Sequence, residues 1–124
     1  MMKTILILLL FPVFFIAQNK KEIGKDFVEG LYNTNKIEKS YSYLSPSITD
    51  KFDLNQLKNT LTSVENQFGS FKTILEINNE DNIYYYYCEF DKTKIDMMIT
   101  FNDSNKIVGF YYVPHKSFLN NKLK

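Results

Sequence analysis

The chain has 124 residues, 44% hydrophobic and 23% charged, with a formal net charge of +1. That balance belongs to one globular domain and excludes a disordered chain. All 15 basic residues are lysines, scattered among 14 acidic ones. Without a basic stripe or arginine forks for bases and phosphates, nucleic acid is not an expected partner.

Lys3 is followed by an apolar run from Ile5 to Ala17, broken once by Pro12, and polarity returns at Gln18-Asn19-Lys20-Lys21. The run is shorter than the roughly 20 residues of a membrane span. It reads as a signal peptide over residues 1–17, leaving a domain over 18–114 and a short tail over 115–124. The expected location is therefore periplasmic or secreted, with no stable membrane span after cleavage. Phe15 departs from the small residues usual before a cleavage site, and an uncleaved anchor is the alternative. A lipoprotein would need a cysteine just after the run, but the single cysteine is Cys88. In an oxidising compartment Cys88 reads as a buried unpaired thiol, with an intermolecular disulfide as the other reading.

Ile23, Phe27 and Leu31 recur at helical spacing and predict a helix over 19–33. A shorter one follows over 36–44 with Ile37, Tyr41 and Leu44 as its stripe, broken at Pro46. Residues 48–52 fit a single turn. Asp53 and Gln56 have capping-box spacing before Leu54, Leu57, Leu61, Val64 and Phe68, which predicts a third helix over 54–68 closed by Gly69. The period then changes to two. Phe71, Thr73, Leu75 and Ile77 alternate as a strand, residues 78–81 form a turn, and Asn82–Phe90 reads NIYYYYCEF. A third strand over 95–102, a three-residue hairpin loop at 103–105 and a last strand over 106–113 complete the sheet. The tail from His115 is expected to trail or pack loosely. Helices followed by strands predict an α+β fold, three N-terminal helices packed on a curved four-stranded antiparallel sheet.

A two-residue turn at Lys92-Thr93 would pair Phe90 with Ile95 and Cys88 with Met97. The next loop would pair Phe101 with Ile107, Ile99 with Gly109 and Met97 with Tyr111. The helix-facing side then carries Tyr84, Tyr86, Cys88, Met97 and Tyr111. The outer side carries Tyr85, Tyr87, Met98, Phe110 and Tyr112, with Glu89 and Asp96 among them. Both sides are apolar, which is unusual for a monomer.

Three stretches, GKDFVEGLYNTNKIEKSYSYLSPSITDKF, LNQLKNTLTSVENQFGSFK and ITFNDSNKIVGFYYVP, resemble the family called domain of unknown function 3887. Its members look like cone-shaped domains of the nuclear-transport-factor-2-like, or cystatin-like, superfamily. The resemblance implies a curved sheet around three helices, a pocket at the open end of the cone and an outer sheet face used for dimerisation.

The chemistry on offer is sparse. The one histidine, His115, lies in the tail, so a triad would need that tail to fold back over Cys88 or a serine. No spacing matches a metal site, the glycines form no phosphate loop, and no cofactor is expected. Asn102-Asp103-Ser104 fits a glycosylation signal but is better explained as a hairpin. The leading expectation is a non-catalytic exported interaction module. It would form a homodimer or dock a protein partner through Tyr85, Tyr87, Met98, Phe110 and Tyr112. The alternative is a small-ligand binder whose pocket is lined by Phe27, Tyr84, Tyr86, Met97 and Tyr111. Last comes an isomerase-type enzyme, for which a pocket tyrosine needs a carboxylate partner, while Glu89 and Asp96 point outward and Asp26 and Glu29 lie on the solvent side of the first helix.

Overall fold

A computed structural model describes residues 19–117. Four helices, α1 (Lys20–Leu31), α2 (Ile37–Ser42), α3 (Pro46–Thr49) and α4 (Leu54–Phe68), precede four strands, β1 (Phe71–Glu80), β2 (Ile83–Phe90), β3 (Lys94–Phe101) and β4 (Ile107–Val113). The strands form one antiparallel meander in the order β1-β2-β3-β4. The fold is α+β, with the helices on one face of a curved, unclosed sheet. The expected signal peptide lies outside the described residues. Among the described residues no helix is long and apolar enough to cross a membrane.

Local chemistry explains the helix ends. Asn19 caps α1 by accepting the Glu22 amide at 2.9 Å. Asp53 and Gln56 bond reciprocally at 2.8 Å across the start of α4. Gly69 ends that helix at φ +84°, a conformation that disfavours any residue with a Cβ. Asp91 then packs on this corner: its carboxylate accepts the Ser70 amide at 3.0 Å, and the Lys92 amide donates to the Phe68 carbonyl at 2.9 Å.

That corner moves the turn between β2 and β3. It falls on Asp91-Lys92, one residue before the predicted Lys92-Thr93, so Cys88 pairs with Ile95 and Tyr86 with Met97. The slip is two residues, so each side chain keeps its predicted face. Tyr86, Cys88 and Phe90 are buried beneath the helices, and Tyr85 and Tyr87 face away from them.

The last strand corrects the sequence reading. Phe101 does pair with Ile107, around a loop in which Asn105 sits at φ +63°. A bulge follows, so Thr100 meets Gly109, Ile99 meets Phe110 and Met97 meets Tyr112. Ile107 is held by the helical layer, its amide donating to Tyr43 and its carbonyl accepting from Ser45 at 2.8 Å, and Val108 is the extra residue. The faces of β4 are thereby exchanged. Phe110 meets Phe27 edge-on at 5.4 Å, and Tyr112 meets Phe68 and Phe90 inside. Tyr111 turns outward.

The first strand carries two bulges, next to Lys72 and Leu75. They turn Ile74 and Ile77 inward and leave Leu75 45% exposed, where simple alternation had placed Thr73 and Leu75 beside Phe71 and Ile77. β1 also runs through the predicted turn at 78–81 as far as Glu80, and Asp81 at φ +54° makes the reversal.

Candidate functional site

Helices cover one face of the sheet. The other face is assembled from β2, β3 and β4 through the pairs Tyr85–Met98, Tyr87–Asp96 and Met98–Tyr111. It falls into two halves with different chemistry.

Over β2 and β3 the chain covers itself. Asp96 is only 1% exposed although it sits on the side away from the helices. Its carboxylate accepts from His115 Nδ1 at 2.9 Å and from the Lys116 amide at 2.8 Å. The imidazole stacks on Tyr87 with ring centroids 3.6 Å apart. The Lys116 ammonium lies 5.2 Å from the centre of the Tyr85 ring and pairs with Glu80 at the end of β1. The segment from Pro114 to Ser117 is thus a strap across the outer face, whereas the sequence suggested a trailing tail. A carboxylate removed from water needs donors that replace its hydration, and the strap supplies two.

Over β4 the surface is open. Tyr111 is 61% exposed and Val108 38%. The Tyr111 ring lies back over Gly109, where a Cβ would stand 3.4 Å from the ring edge. A groove of about 230 Å³ runs along this strand, lined by Ile48, Phe52, Val108, Gly109, Phe110 and Tyr111 without a charged residue. β4 and β1 are the two sheet edges. β1 is broken by bulges and carries Lys72, Glu76 and Glu80; β4 (IVGFYYV) carries no charge at all. Charges and bulges are what normally protect an edge from pairing with another chain, and β4 has only the bulge and the Tyr43–Ser45 segment bonded to Ile107, both at its start.

The predicted cone pocket is filled. Phe27, Tyr86 and Met97 are completely buried core residues, and the Tyr86 hydroxyl donates to the Lys21 carbonyl at 2.9 Å. Tyr84 is half-buried against Phe101, and Tyr111 stands on the opposite face. Leu31 and Leu61 join Phe27 in the same core. Of the predicted interface residues, Tyr85, Tyr87 and Met98 share the outer face, while Phe110 and Tyr112 belong to the interior.

Two polar features inside or beside the helical layer escaped sequence reasoning. The Tyr32 and Tyr112 hydroxyls bond to one another among Phe68, Phe71 and Phe90, and burial pushes both phenols above their ordinary range. Tyr32 also lines an open groove of about 340 Å³ between α1 and α4, with Leu31, Ile37 and Leu61 and a rim of Lys58 and Glu65. Tyr43 donates to Asp26 at 2.5 Å, with Lys39 3.2 Å from the same oxygen. That bond, helped by Lys39, holds the Asp26 carboxyl below the usual carboxylate range, which weakens it as a base. The tyrosine of this carboxylate–tyrosine pair is Tyr43, not Tyr84, Tyr86 or Tyr111. Cys88 is buried and its thiol is pushed up to about 12, mainly by burial and then by Asp96, so it is protonated and unreactive at neutral pH. Among the described residues no group of three or more His, Cys, Asp or Glu could hold a metal ion.

Fold and surface together define an α+β domain with a helix-covered sheet whose back is partly strapped and partly open. The chain belongs to the family described as Protein of unknown function (DUF3887), whose model matches residues 26–110. The observed layout is compatible with the nuclear-transport-factor-2-like superfamily. No curated protein and no solved structure matches the chain. The family match ends at Phe110, so Tyr111 and the strap lie beyond it.

Proposed function

We propose that this chain is an exported, non-catalytic interaction module that docks through the half of its outer sheet face built on β3 and β4, and that a second copy docks there. The contrast between the two sheet edges carries the reading: β1 is guarded by charge and bulges, β4 is uncharged and carries an exposed tyrosine. Antiparallel pairing of two copies of β4 about Tyr111 would set Phe110 against Tyr112 of the second copy, with no charge to repel along either strand. Export is supported by the apolar segment after Lys3. A non-catalytic role is supported by the protonated Cys88 and the strongly held Asp26. The aromatic-pocket alternative has less support, because Phe27, Tyr86 and Met97 fill the space a ligand would need.

Light scattering on the wild type and on Tyr111→Lys tests the reading. The wild type is expected to gain mass with concentration, and Tyr111→Lys is expected to stay monomeric with stability within about 0.5 kcal/mol of wild type, as for an exposed site. Equal association of the two proteins would overturn the proposal.

A further inference from the structure

We infer that the groove between α1 and α4 binds a short apolar peptide with free termini, about three residues long by the reach of an extended chain. With about 340 Å³ of space, it stands near the lower end of the range of small-ligand sites. None of its lining residues belongs to β4, so the inference is independent of the docking reading above.

The length and charge of the groove come from α4. Lys58, Leu61, Thr62 and Glu65 line it at i, i+3, i+4 and i+7, one face of the helix followed through two turns. Lys58 and Glu65 are therefore about 10 Å apart along the helix axis. That is beyond the i+3 or i+4 spacing at which helical ion pairs form. Among the described residues neither side chain has an ion pair or hydrogen bond with another. The facing wall, Leu31, Tyr32, Thr34 and Ile37, carries no charge.

An ammonium at one end and a carboxylate at the other complement a zwitterion of the same length. An extended peptide advances about 3.3–3.6 Å per residue, so three residues set their terminal charges about 10 Å apart. The peptide carboxylate then meets Lys58 and its ammonium meets Glu65. Leu31, Ile37 and Leu61 are anchored in the core, so the apolar floor is formed before any ligand arrives. The Thr62 hydroxyl donates to the Lys58 carbonyl at 3.0 Å, which leaves its oxygen to accept a peptide amide. A fatty acid would satisfy Lys58 alone and set its chain against the Glu65 carboxylate.

The test follows backbone amide shifts by NMR on the full-length protein, titrated with Val-Ala-Val. One form of the peptide has free termini and the other is acetylated and amidated. The free peptide is expected to move the Leu31, Tyr32, Ile37, Leu61 and Thr62 amides at millimolar concentration. The capped form is expected to bind about fivefold more weakly or worse. Lys58→Glu and Glu65→Lys, both at exposed positions, are each expected to weaken the free peptide about fivefold and leave the capped one unchanged. Equal binding of the two forms overturns the inference, because the groove would then take any apolar segment of a protein. No shift at these amides up to about 20 mM free peptide also overturns it. So do shifts there on raising the protein concentration alone, which would assign the groove to a second copy. Failure of the peptide arm leaves the β4 surface standing, because that surface is read at Val108–Tyr112.

Discussion

Phe27→Ala is expected to lower the stability of the domain by about 3–5 kcal/mol, a large part of what a domain this size possesses. Phe27 is fully buried on α1 and meets the Phe110 ring edge-on at 5.4 Å with an interplanar angle of 72°. Removing it forfeits the burial of a large ring and opens a cavity that a rigid helix–sheet contact cannot close. The partner ring makes the prediction specific to this fold. A double-mutant cycle of Phe27→Ala with Phe110→Ala, read as urea midpoints, is expected to show coupling of about 0.5–1.5 kcal/mol. Strict additivity would place Phe110 on the outer face and contradict the bulge that turns β4 over.

Gly24→Ala is expected to destabilise by about 1–3 kcal/mol, although alanine is the better helix former by about 1 kcal/mol. Gly24 lies on the buried side of α1, where the Tyr86 phenol crosses the helix to reach the Lys21 carbonyl. A Cβ at position 24 would overlap the hydroxyl and the adjoining ring carbon of Tyr86. Tyr86 has no slack, being fully buried with a stacked Tyr84 beside it. The alanine therefore forces α1 off the sheet or the phenol off its carbonyl, and either outweighs the helical gain. Thermal unfolding reads the outcome, and a melting temperature at or above wild type would show that Tyr86 does not seat against α1.

Much of this fold was legible in the sequence because its signals are local. The Asp53–Gln56 box, the Leu57–Leu61–Val64 stripe and Gly69 each act within one helix, and α4 has the predicted bounds. The parity of the tyrosine run was legible as well, since a strand's alternation survives a two-residue slip in pairing. What was hidden depends on contacts between distant segments. The β4 bulge exists because Ile107 is bonded to Tyr43 and Ser45, more than 60 residues earlier, and no pattern within IVGFYYV announces it. The same holds for Asp91, whose seat on the Gly69–Ser70 corner moves the next turn. Asp96 looked like an ordinary outward carboxylate, and only the returning His115 buries it. Of these contacts, the one at Ile107 redistributes the candidate residues, sending Phe110 and Tyr112 inside and Tyr111 out.

The four tyrosines of β2 accordingly serve three different ends. Tyr86 is a core residue that ties the sheet to α1, Tyr84 packs beside it, and Tyr85 and Tyr87 carry the strap. The exposed aromatic of the outer face is Tyr111, on the next strand but one.

Concentration-dependent backbone NMR of the full-length wild type tests the docking surface most directly. Between dilute solution and about 1 mM, the range in which a small transient interface shows itself, amide shifts are expected to move at Val108–Tyr112 and at Met98, with α4 and β1 unmoved. Spectra that do not change with concentration, or shifts gathered on α4 or the β1 edge, would contradict it.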